Sequence, residues 1–173
     1  VVPVSTAPGE KTSALTALFT STTSVCVTGS VVVDTFSHWS LFGKIVILLL
    51  IQIGGLGIIS VTAFLVTVSG RKISLLQRSL LMESISADQV GGIVKMTSFI
   101  FRLAFTVELI GAILMMPTFC INFGLSGIWM AVFHSVSAFC NAGFDLMGVI
   151  EPYSSFTAFS GDWLVNLTLI VLI

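Results

Sequence analysis

An internal repeat constrains the fold of this chain more than any other feature of its sequence. Residues 131–144 read AVFHSVSAFCNAGF, and residues 17–30, about 114 positions earlier, read ALFTSTTSVCVTGS. The two stretches align without a gap, so that Ser21 matches Ser135 and Gly29 matches Gly143. A repeat of this kind indicates that one structural unit occurs twice.

Each copy of the repeat is typical of a pore loop. Residues 14–24 and 127–139 are predicted to form helices too short to cross a hydrocarbon core, which takes about 20 residues. Each helix leads into a tetrapeptide that contains a glycine, residues 27–30 in the first copy and 141–144 in the second. A short helix that enters the membrane part-way and returns through an irregular glycine segment is a pore loop. An ordinary amphipathic helix is the alternative for residues 14–24.

Composition favours a membrane protein. Hydrophobic residues make up 55% of the chain and charged residues 9%, against about 25% charged in an ordinary soluble domain. The net charge of −1 leaves no basic surface for nucleic acid. Two of the three cysteines share one slot of the repeat and none has CxxC spacing, which favours buried small residues over a disulfide or metal framework. Since the chain starts without Met and stops in an apolar run, we expect a piece of a longer protein.

The predicted fold class is an all-α polytopic membrane protein made of channel-like helix, pore loop, helix repeats. Residues 1–70 are predicted to be part of a first repeat, residues 71–92 a cytoplasmic connection and residues 93–173 a second repeat. The connection is placed in the cytoplasm because residues 71–102 hold five of the seven Lys and Arg. Both pore loops then enter from outside in the same orientation, unlike the inverted repeats of many secondary transporters. The predicted spanning helices cover residues 41–69 and 93–120, and a third begins at Trp163.

Two spanning helices carry polar residues at depth. In the first, Gln52 needs a partner inside the bundle, and the glycines of residues 54–57 allow another helix to approach closely. In the second, Glu108 lies about 9 Å beyond Arg102 at 1.5 Å per residue. An acid at that depth is a candidate cation site or a partner for a basic group. A structural hydrogen bond to a neighbouring helix is an equally open interpretation.

Other polar residues close to the glycine segments have both functional and structural interpretations. Asp34 and Asp145 stand just outside the two tetrapeptides, where they can raise the local cation concentration or tie the segments to their neighbours. His134 precedes Ser135, which suggests a base and a nucleophile. Because adjacent residues do not face each other on a helix, a packing or hydrogen-bonding role for His134 is favoured.

The chemistry of the tetrapeptides favours a monovalent cation as the ligand. A cation that enters a membrane needs oxygen ligands in place of water, and backbone carbonyls supply them when the chain is held extended. Glycine reaches backbone angles that other residues avoid. Each short helix also directs the negative end of its dipole toward the membrane centre. A calcium pore would more often carry carboxylates within these segments.

The motifs FTSTTSVCVTGSVVVD, LIQIGGLGI and VFHSVSAFCNAGFD resemble the potassium-translocating subunits of the Trk/Ktr/HKT superfamily, most closely the bacterial KtrB type. The resemblance implies four repeats around one pathway, with this chain holding part of the first and most of the second. It also implies a homodimer on a cytosolic ring of nucleotide-binding regulatory subunits. Ser30 departs from the apolar residue expected after the first glycine. The ion-binding positions that the resemblance implies are Val27, Thr28, Gly29, Ser30, Asn141, Ala142, Gly143 and Phe144, which bind potassium through backbone carbonyls.

The sequence therefore predicts the pore-forming part of a potassium uptake system in the bacterial cell membrane, not an enzyme and without a covalent cofactor. Sodium, as a coupling ion or a second transported ion, is left open. An ion-coupled secondary transporter with a midplane site near Glu108 is the alternative. An intramembrane enzyme that uses His134 or the cysteines is a further, less favoured one.

Overall fold

The computed structural model describes residues 3–10, 12–57, 61 and 93–173. Over these residues the predicted all-α class is confirmed, and β-structure is limited to an isolated bridge between Thr6 and Trp39. The predicted cytoplasmic connection, residues 71–92, lies outside the described residues. The helices are α1 (Ala14–Val25), α2 (Thr35–His38), α3 (Leu41–Leu56), α4 (Ile93–Phe123), α5 (Ser126–Phe139) and α6 (Trp163–Leu172), with 3-10 turns at Pro3–Ser5, Met147–Val149 and Ser155–Phe159.

The chain divides into two compact units, one of residues 1–55 and 107–173 and the other of residues 56–106. The first unit contains both glycine segments, α1, α2, α5 and α6, residues 41–55 of α3 and residues 107–123 of α4. The second unit contains residues 93–106 of α4. There the hydroxyl of Thr106 donates to the carbonyl of Arg102 at 2.7 Å.

Helix α1 forms where the sequence predicts it. From the sequence, either Thr12 or Ser13 can cap this helix. Ser13 is the residue that does so, because its hydroxyl accepts a hydrogen bond from the amide of Thr16 at 3.0 Å. Thr12 instead pairs with the ring nitrogen Nε2 of His38 at 2.6 Å. A side-chain cap satisfies an amide that has no partner within the helix, which stabilises the helix by about 1 kcal/mol.

Helix α2 and the residues before α1 form a small layer beside the first glycine segment. The amide of Ala7 donates to the carbonyl of His38, and the amide of Ser40 donates to the carbonyl of Ser5, both at 3.0 Å. The sequence suggests a membrane interface for His38 and Trp39, whose rings are amphipathic. Both side chains are instead buried in the protein, with 8% and 6% of their surface exposed.

Helix α3 ends earlier than the sequence predicts. It stops at Leu56, so its 16 residues extend about 24 Å. Gly57 then has a φ of +81° and open space around it, a conformation that terminates helices and suits glycine. The amide of Val61 donates to the carbonyl of Gly57 at 3.1 Å. The prediction of one continuous helix over residues 41–69 is therefore wrong at Gly57, and residues 58–60 and 62–70 lie outside the described part.

Helix α4 is longer than predicted and the turn after it is shorter. The helix continues to Phe123 with Pro117 inside it, and only Gly124 and Leu125 separate it from α5. The expected turn over residues 121–126 is thus reduced to two residues. Among the described residues, Ser98–Phe123 is the one helical segment long and apolar enough to cross a membrane, and α3, α5 and α6 are shorter apolar helices.

From the sequence, Ser126 is predicted to be the N-cap of α5 because its hydroxyl precedes an apolar run. The helix instead begins without a side-chain cap. Ser126 is its first helical residue rather than its N-cap, and Leu125 precedes it with no side-chain hydrogen bond. The backbone of the tight turn supplies an acceptor instead, because the amide of Gly127 donates to the carbonyl of Gly124 at 3.0 Å. The capping prediction for Ser126 is therefore wrong.

The core of the first unit is an aromatic cluster that fixes α5. Phe119 of α4 is fully buried, and its ring lies 5.3 Å from that of His134 and 5.5 Å from that of Phe159. Phe133 and Met130 of α5 are also buried. Each such side chain contributes about 1.5–3 kcal/mol by burial. Helix α5 is thereby held rigidly, and so is the chain that leaves its C-terminus.

Candidate functional site: the two glycine segments

Residues 27–30, the first glycine segment, and residues 141–144, the second glycine segment, share an unusual backbone conformation. The φ angles of Val27 and Gly29 are +55° and +73°, and those of Asn141 and Gly143 are +53° and +69°. The left-handed positions therefore fall at the same two places of the repeat. A β-branched residue such as valine rarely adopts a positive φ, and strain of this kind is concentrated at functional sites.

Each glycine segment is fastened to the end of its own helix by the same backbone hydrogen bond. The amide of Thr28 donates to the carbonyl of Thr23 at 3.1 Å, and the amide of Ala142 donates to that of Ser137 at 2.7 Å. Thr28 and Ala142 are equivalent in the repeat, as are Thr23 and Ser137. The two copies thus fold alike beyond the helix ends.

Side-chain hydroxyls hold the last residue of each segment. The hydroxyl of Thr23 accepts a hydrogen bond from the amide of Ser30 at 3.1 Å. The hydroxyl of Ser137, at the same place in the second copy, donates to the carbonyl of Phe144 at 2.6 Å. The sequence analysis did not single out Thr23 or Ser137. The signal that could have found them is a hydroxyl retained at one register of the repeat.

The two glycine segments meet at their glycines. A β-carbon built on Gly29 would lie 3.0 Å from the carbonyl oxygen of Ala142, and one built on Gly143 would lie 3.2 Å from the α-carbon of Gly29. A side chain at either position would therefore push the segments apart. The structure thus brings the two predicted ion-binding segments into contact at Gly29, Ala142 and Gly143.

The residues that follow the two glycines are placed differently. Phe144 is buried with 2% of its surface exposed, whereas Ser30, its counterpart, is exposed. This explains why Ser30 can depart from the apolar residue expected there. Cys26 is exposed and Cys140 is half-buried, so the expectation of buried cysteines beside the segments is wrong for Cys26.

The glycines of α3 lie against the C-terminal ends of both short helices. A β-carbon on Gly54 would overlap the carbonyl oxygen of Val25 at the end of α1. One on Gly55 would overlap the sulfur of Cys140 at the end of α5. The expectation that small residues here permit close packing is confirmed, and α3 supports both glycine segments from one side.

Among the residues that the structure describes, Glu108 is paired with an amide and not with a basic group. It is 5% exposed, and Nε2 of Gln52 donates to its carboxylate oxygen Oε1 at 2.7 Å. The hydroxyl of Ser135 also donates to the backbone carbonyl of Glu108 at 2.6 Å. The predicted need of Gln52 for a partner is thus met, and of the interpretations of Glu108 the structural hydrogen bond is the one observed.

The two aspartates just outside the glycine segments are engaged by the protein. Asp34 is 8% exposed, and its carboxylate accepts hydrogen bonds from Ser37 and from the amide of Tyr153. Asp145 is half-buried and accepts from the amide of Met147 at 2.8 Å. Burial raises the pKa of the Asp145 carboxyl above its ordinary value. Tying the segments to their neighbours is the interpretation that these contacts favour.

His134 has a structural environment. Its Nε2 accepts a hydrogen bond from the amide of Leu146 at 2.9 Å, which places the ring proton on Nδ1. The ring lies 4.8 Å from that of Phe156 and is 1% exposed. The hydroxyl of Ser135 is committed to the carbonyl of Glu108. No group of three or more potential metal-binding side chains occurs in the described parts of the chain.

A paired-repeat helical fold of this kind, with strained glycine segments at the ends of short helices, defines a class of membrane transport proteins. Residues 4–173 match the family model TrkH, described as cation transport protein. The chain therefore belongs to this family of membrane cation transporters, as the resemblance implies. It is a family of transport proteins and not of enzymes.

Individual relatives are consistent with this assignment. The chain is 39% identical over 148 residues to the potassium/sodium uptake protein NtpJ of Enterococcus hirae, an alignment that covers 85% of the chain and 33% of the relative. It is 35% identical over 170 residues to the Ktr system potassium uptake protein B of Bacillus subtilis, covering 98% and 37%. The Vibrio alginolyticus protein of the same name is 38% identical over 154 residues, covering 88% and 33%. The chain thus spans about a third of these relatives.

Proposed function

We propose that this chain forms part of the conduction pathway of a potassium uptake system and that the two glycine segments are two parts of its selectivity filter. The observation that carries the proposal is the matching backbone of the two segments, with positive φ at Val27 and Gly29 and again at Asn141 and Gly143. Such a conformation is strained except at glycine, so its occurrence at the same two places of the repeat indicates a requirement of function.

Physical chemistry supports a cation as the ligand of these segments. Backbone carbonyls replace the hydration shell of potassium in filters of this kind. The C-termini of α1 and α5, which carry the negative ends of the helix dipoles, lead directly into the segments. Relatives of the chain are named as potassium or potassium/sodium uptake proteins. The proposal assigns no role to sodium, and the uptake experiment measures whether sodium is coupled or transported.

The proposed arrangement is multi-pass, with residues 1–70 and 93–173 as parts of two repeats and residues 71–92 as the cytoplasmic connection. Helices α3 and α6 are taken as equivalent because they begin alike. The amide of Gly43 donates to the hydroxyl of Ser40 at 3.2 Å, and the amide of Val165 donates to the carboxylate of Asp162 at 3.1 Å.

A groove in the first repeat supports this division. In the second repeat, Gly111 of α4 packs so closely against Ser135 and Leu172 that a β-carbon would not fit. The equivalent residues of the first repeat, Ser21 and Leu50, line an open groove of about 430 Å³ between α1 and α3. We infer that a helix equivalent to α4 fills the groove, and that it belongs to a part of the full-length protein that this chain does not include.

The resemblance and the names of the relatives extend the proposal to the assembly. The Ktr system relatives are named as components of a system. We propose a homodimer in the bacterial cell membrane, seated on a cytosolic ring of nucleotide-binding regulatory subunits. The bilayer would cover the exposed apolar residues of α4 and α6, such as Leu109, Ile113, Ile170 and Val171.

The experiment that tests the proposal is rubidium uptake into liposomes that contain the full-length protein and an outward potassium gradient. Gly143→Ser places a side chain against Gly29 and should reduce the discrimination of potassium from sodium. Gly161→Ser is the matched control, because Gly161 has open space around it and no positive φ. Two results would overturn the filter assignment. One is wild-type uptake that sodium inhibits as strongly as potassium does, and the other is unchanged selectivity in Gly143→Ser.

The alternative, a secondary transporter with a site at Glu108, has less support. The described contacts of Glu108 engage its carboxylate with Gln52 rather than leaving it directed into a cavity. The same liposomes distinguish the two. Uptake that requires a proton or sodium gradient and is lost in Glu108→Gln would favour the alternative.

A further inference from the structure

Asp34 joins the exit of the first glycine segment to the loop that follows the second. Its oxygen Oδ2 accepts hydrogen bonds from the amide and the hydroxyl of Ser37, both at 2.8 Å, and so caps α2. Its oxygen Oδ1 accepts from the amide of Tyr153 at 3.2 Å, across 119 positions of sequence. The hydroxyl of Tyr153 also donates to the carbonyl of Val32 at 3.4 Å. Both oxygens of this buried carboxylate are therefore in use, one in each repeat.

The second repeat is shaped to receive this carboxylate. Gly148 packs against it so closely that a β-carbon on Gly148 would overlap both carboxylate oxygens. Tyr153, which donates to Asp34, has a φ of +61°. A tyrosine is strained in the left-handed region. A strained donor and a side-chain-free position that both contact one carboxylate indicate that the contact is maintained for a purpose other than capping α2.

Asp162 shows what an aspartate that only caps a helix does in this chain. Its carboxylate accepts from the amides of Leu164 and Val165 at 3.0 and 3.1 Å, at the start of its own helix. Within the part of the chain that the structure describes, the side-chain hydrogen bonds of Asp162 stay within that turn, whereas those of Asp34 reach the other repeat. The two aspartates thus share capping and differ in the link between repeats.

We propose that Asp34 is a positioning residue that sets the spacing of the two glycine segments and thereby the selectivity of the pathway. The inference rests on the proposed function. From Gly29 the chain runs five positions to Asp34, which contacts the loop of Gly148 and Tyr153. That loop is fastened back to the second segment by Asp145 and the amide of Met147. Since Gly29 and Gly143 are in contact, a shift of this link changes the separation of the segments.

The test measures the ratio of potassium to sodium uptake by the full-length protein in liposomes, together with its melting temperature. Asp34→Ala removes the link and should lower the ratio about tenfold, which corresponds to one net hydrogen bond of about 1.4 kcal/mol. Gly148→Ala should lower the ratio similarly, because the new methyl group displaces the carboxylate. Asp34→Asn can keep one acceptor for the cap but then directs its NH2 group at the amide of Tyr153, so the ratio should fall about as in Asp34→Ala while the melting temperature falls less.

A double variant separates positioning from general destabilisation. Once Asp34→Ala has emptied the space, Gly148→Ala should reduce the ratio no further, so the two effects are not additive. Asp162→Ala is the matched control and should lower the melting temperature through the lost cap while leaving the ratio unchanged. A ratio that falls equally in Asp162→Ala, or falls additively in the double variant, would refute the role of Asp34. Absence of selective uptake in the wild type would refute the proposed function itself.

Discussion

The hydrogen bond between Gln52 and Glu108 leads to a prediction that distinguishes a structural role of Glu108 from an ion-binding role. Gln52→Leu removes the amide that donates to a carboxylate with 5% exposure. A buried acceptor left without its donor costs about 1–3 kcal/mol. For domains of 150–250 residues, 1 kcal/mol lowers the melting temperature by about 2–4 °C, and the shift becomes smaller as the protein becomes larger. Since the relatives are about three times as long as this chain, we expect a decrease of about 1–5 °C in the full-length protein.

The complementary change keeps the hydrogen bond and removes the acid. In Glu108→Gln, the oxygen of the new amide can still accept from Nε2 of Gln52, so the melting temperature should decrease by less than in Gln52→Leu. The exchange of both residues, Gln52→Glu with Glu108→Gln, restores one donor and one acceptor and should recover most of the stability. Non-additivity of this kind is what a double-mutant cycle measures for residues in contact.

The assay is thermal unfolding of the purified full-length protein in detergent, with potassium uptake measured on the same preparations. If Glu108 has a structural role, the melting temperature depends on its hydrogen bond with Gln52, and Glu108→Gln transports potassium as the wild type does. If Glu108→Gln melts normally but no longer transports, Glu108 binds an ion and the structural interpretation is wrong. If Gln52→Leu melts like the wild type, the observed hydrogen bond carries no stability and the reasoning is refuted from the other side.

Three further predictions use the same assays. Ser137→Ala removes the bond to the carbonyl of Phe144 and should cost about 1 kcal/mol with reduced potassium selectivity; unchanged selectivity would show that the hydroxyl does not shape the segment. Gly54→Ala should lower the melting temperature through its overlap with Val25, and a normal melting curve would contradict the close packing of α3. Asn141→Ala should cost about 1 kcal/mol because alanine is strained at a φ of +53°, whereas Asn141→Gly should not, and equal stability of the two variants would refute strain at this position.

The sequence predicts the glycine segments well because their signal is local and repeated. The match of residues 17–30 with residues 131–144 places both short helices and both glycines within a residue or two of where they lie. Helix α6 likewise begins at Trp163 as predicted, since Asp162 is a strong N-cap residue.

Where the sequence prediction fails, tertiary contacts decide the local structure. Three glycines follow Gln52, and the sequence does not tell which one ends the helix. Gly54 and Gly55 remain helical and pack against Val25 and Cys140, whereas Gly57, with open space around it, takes the left-handed conformation. The turn after α4 begins later than predicted because residues 121–123 contain neither glycine nor proline, so the helix continues past Pro117 to Phe123.

The contact between Asp34 and Gly148 could not be predicted from the sequence, for a different reason. The two residues are 114 positions apart and carry no complementary chemistry, since a glycine contributes only space. Only the folded arrangement of both repeats reveals that the space is needed. The same holds for Tyr153, whose backbone amide, not its ring, donates to Asp34.

The hydroxyls of Thr23 and Ser137 make the two glycine segments chemically different. The hydroxyl of Thr23 accepts from the amide of Ser30, whereas the hydroxyl of Ser137 donates to the carbonyl of Phe144. A pore assembled from identical subunits repeats every substitution around its axis. In a chain that carries its repeats in tandem, a single substitution changes only the glycine segment in which it occurs. Under the proposed function, a chain with tandem repeats can therefore adjust its preference among ions in smaller steps than a symmetric channel can.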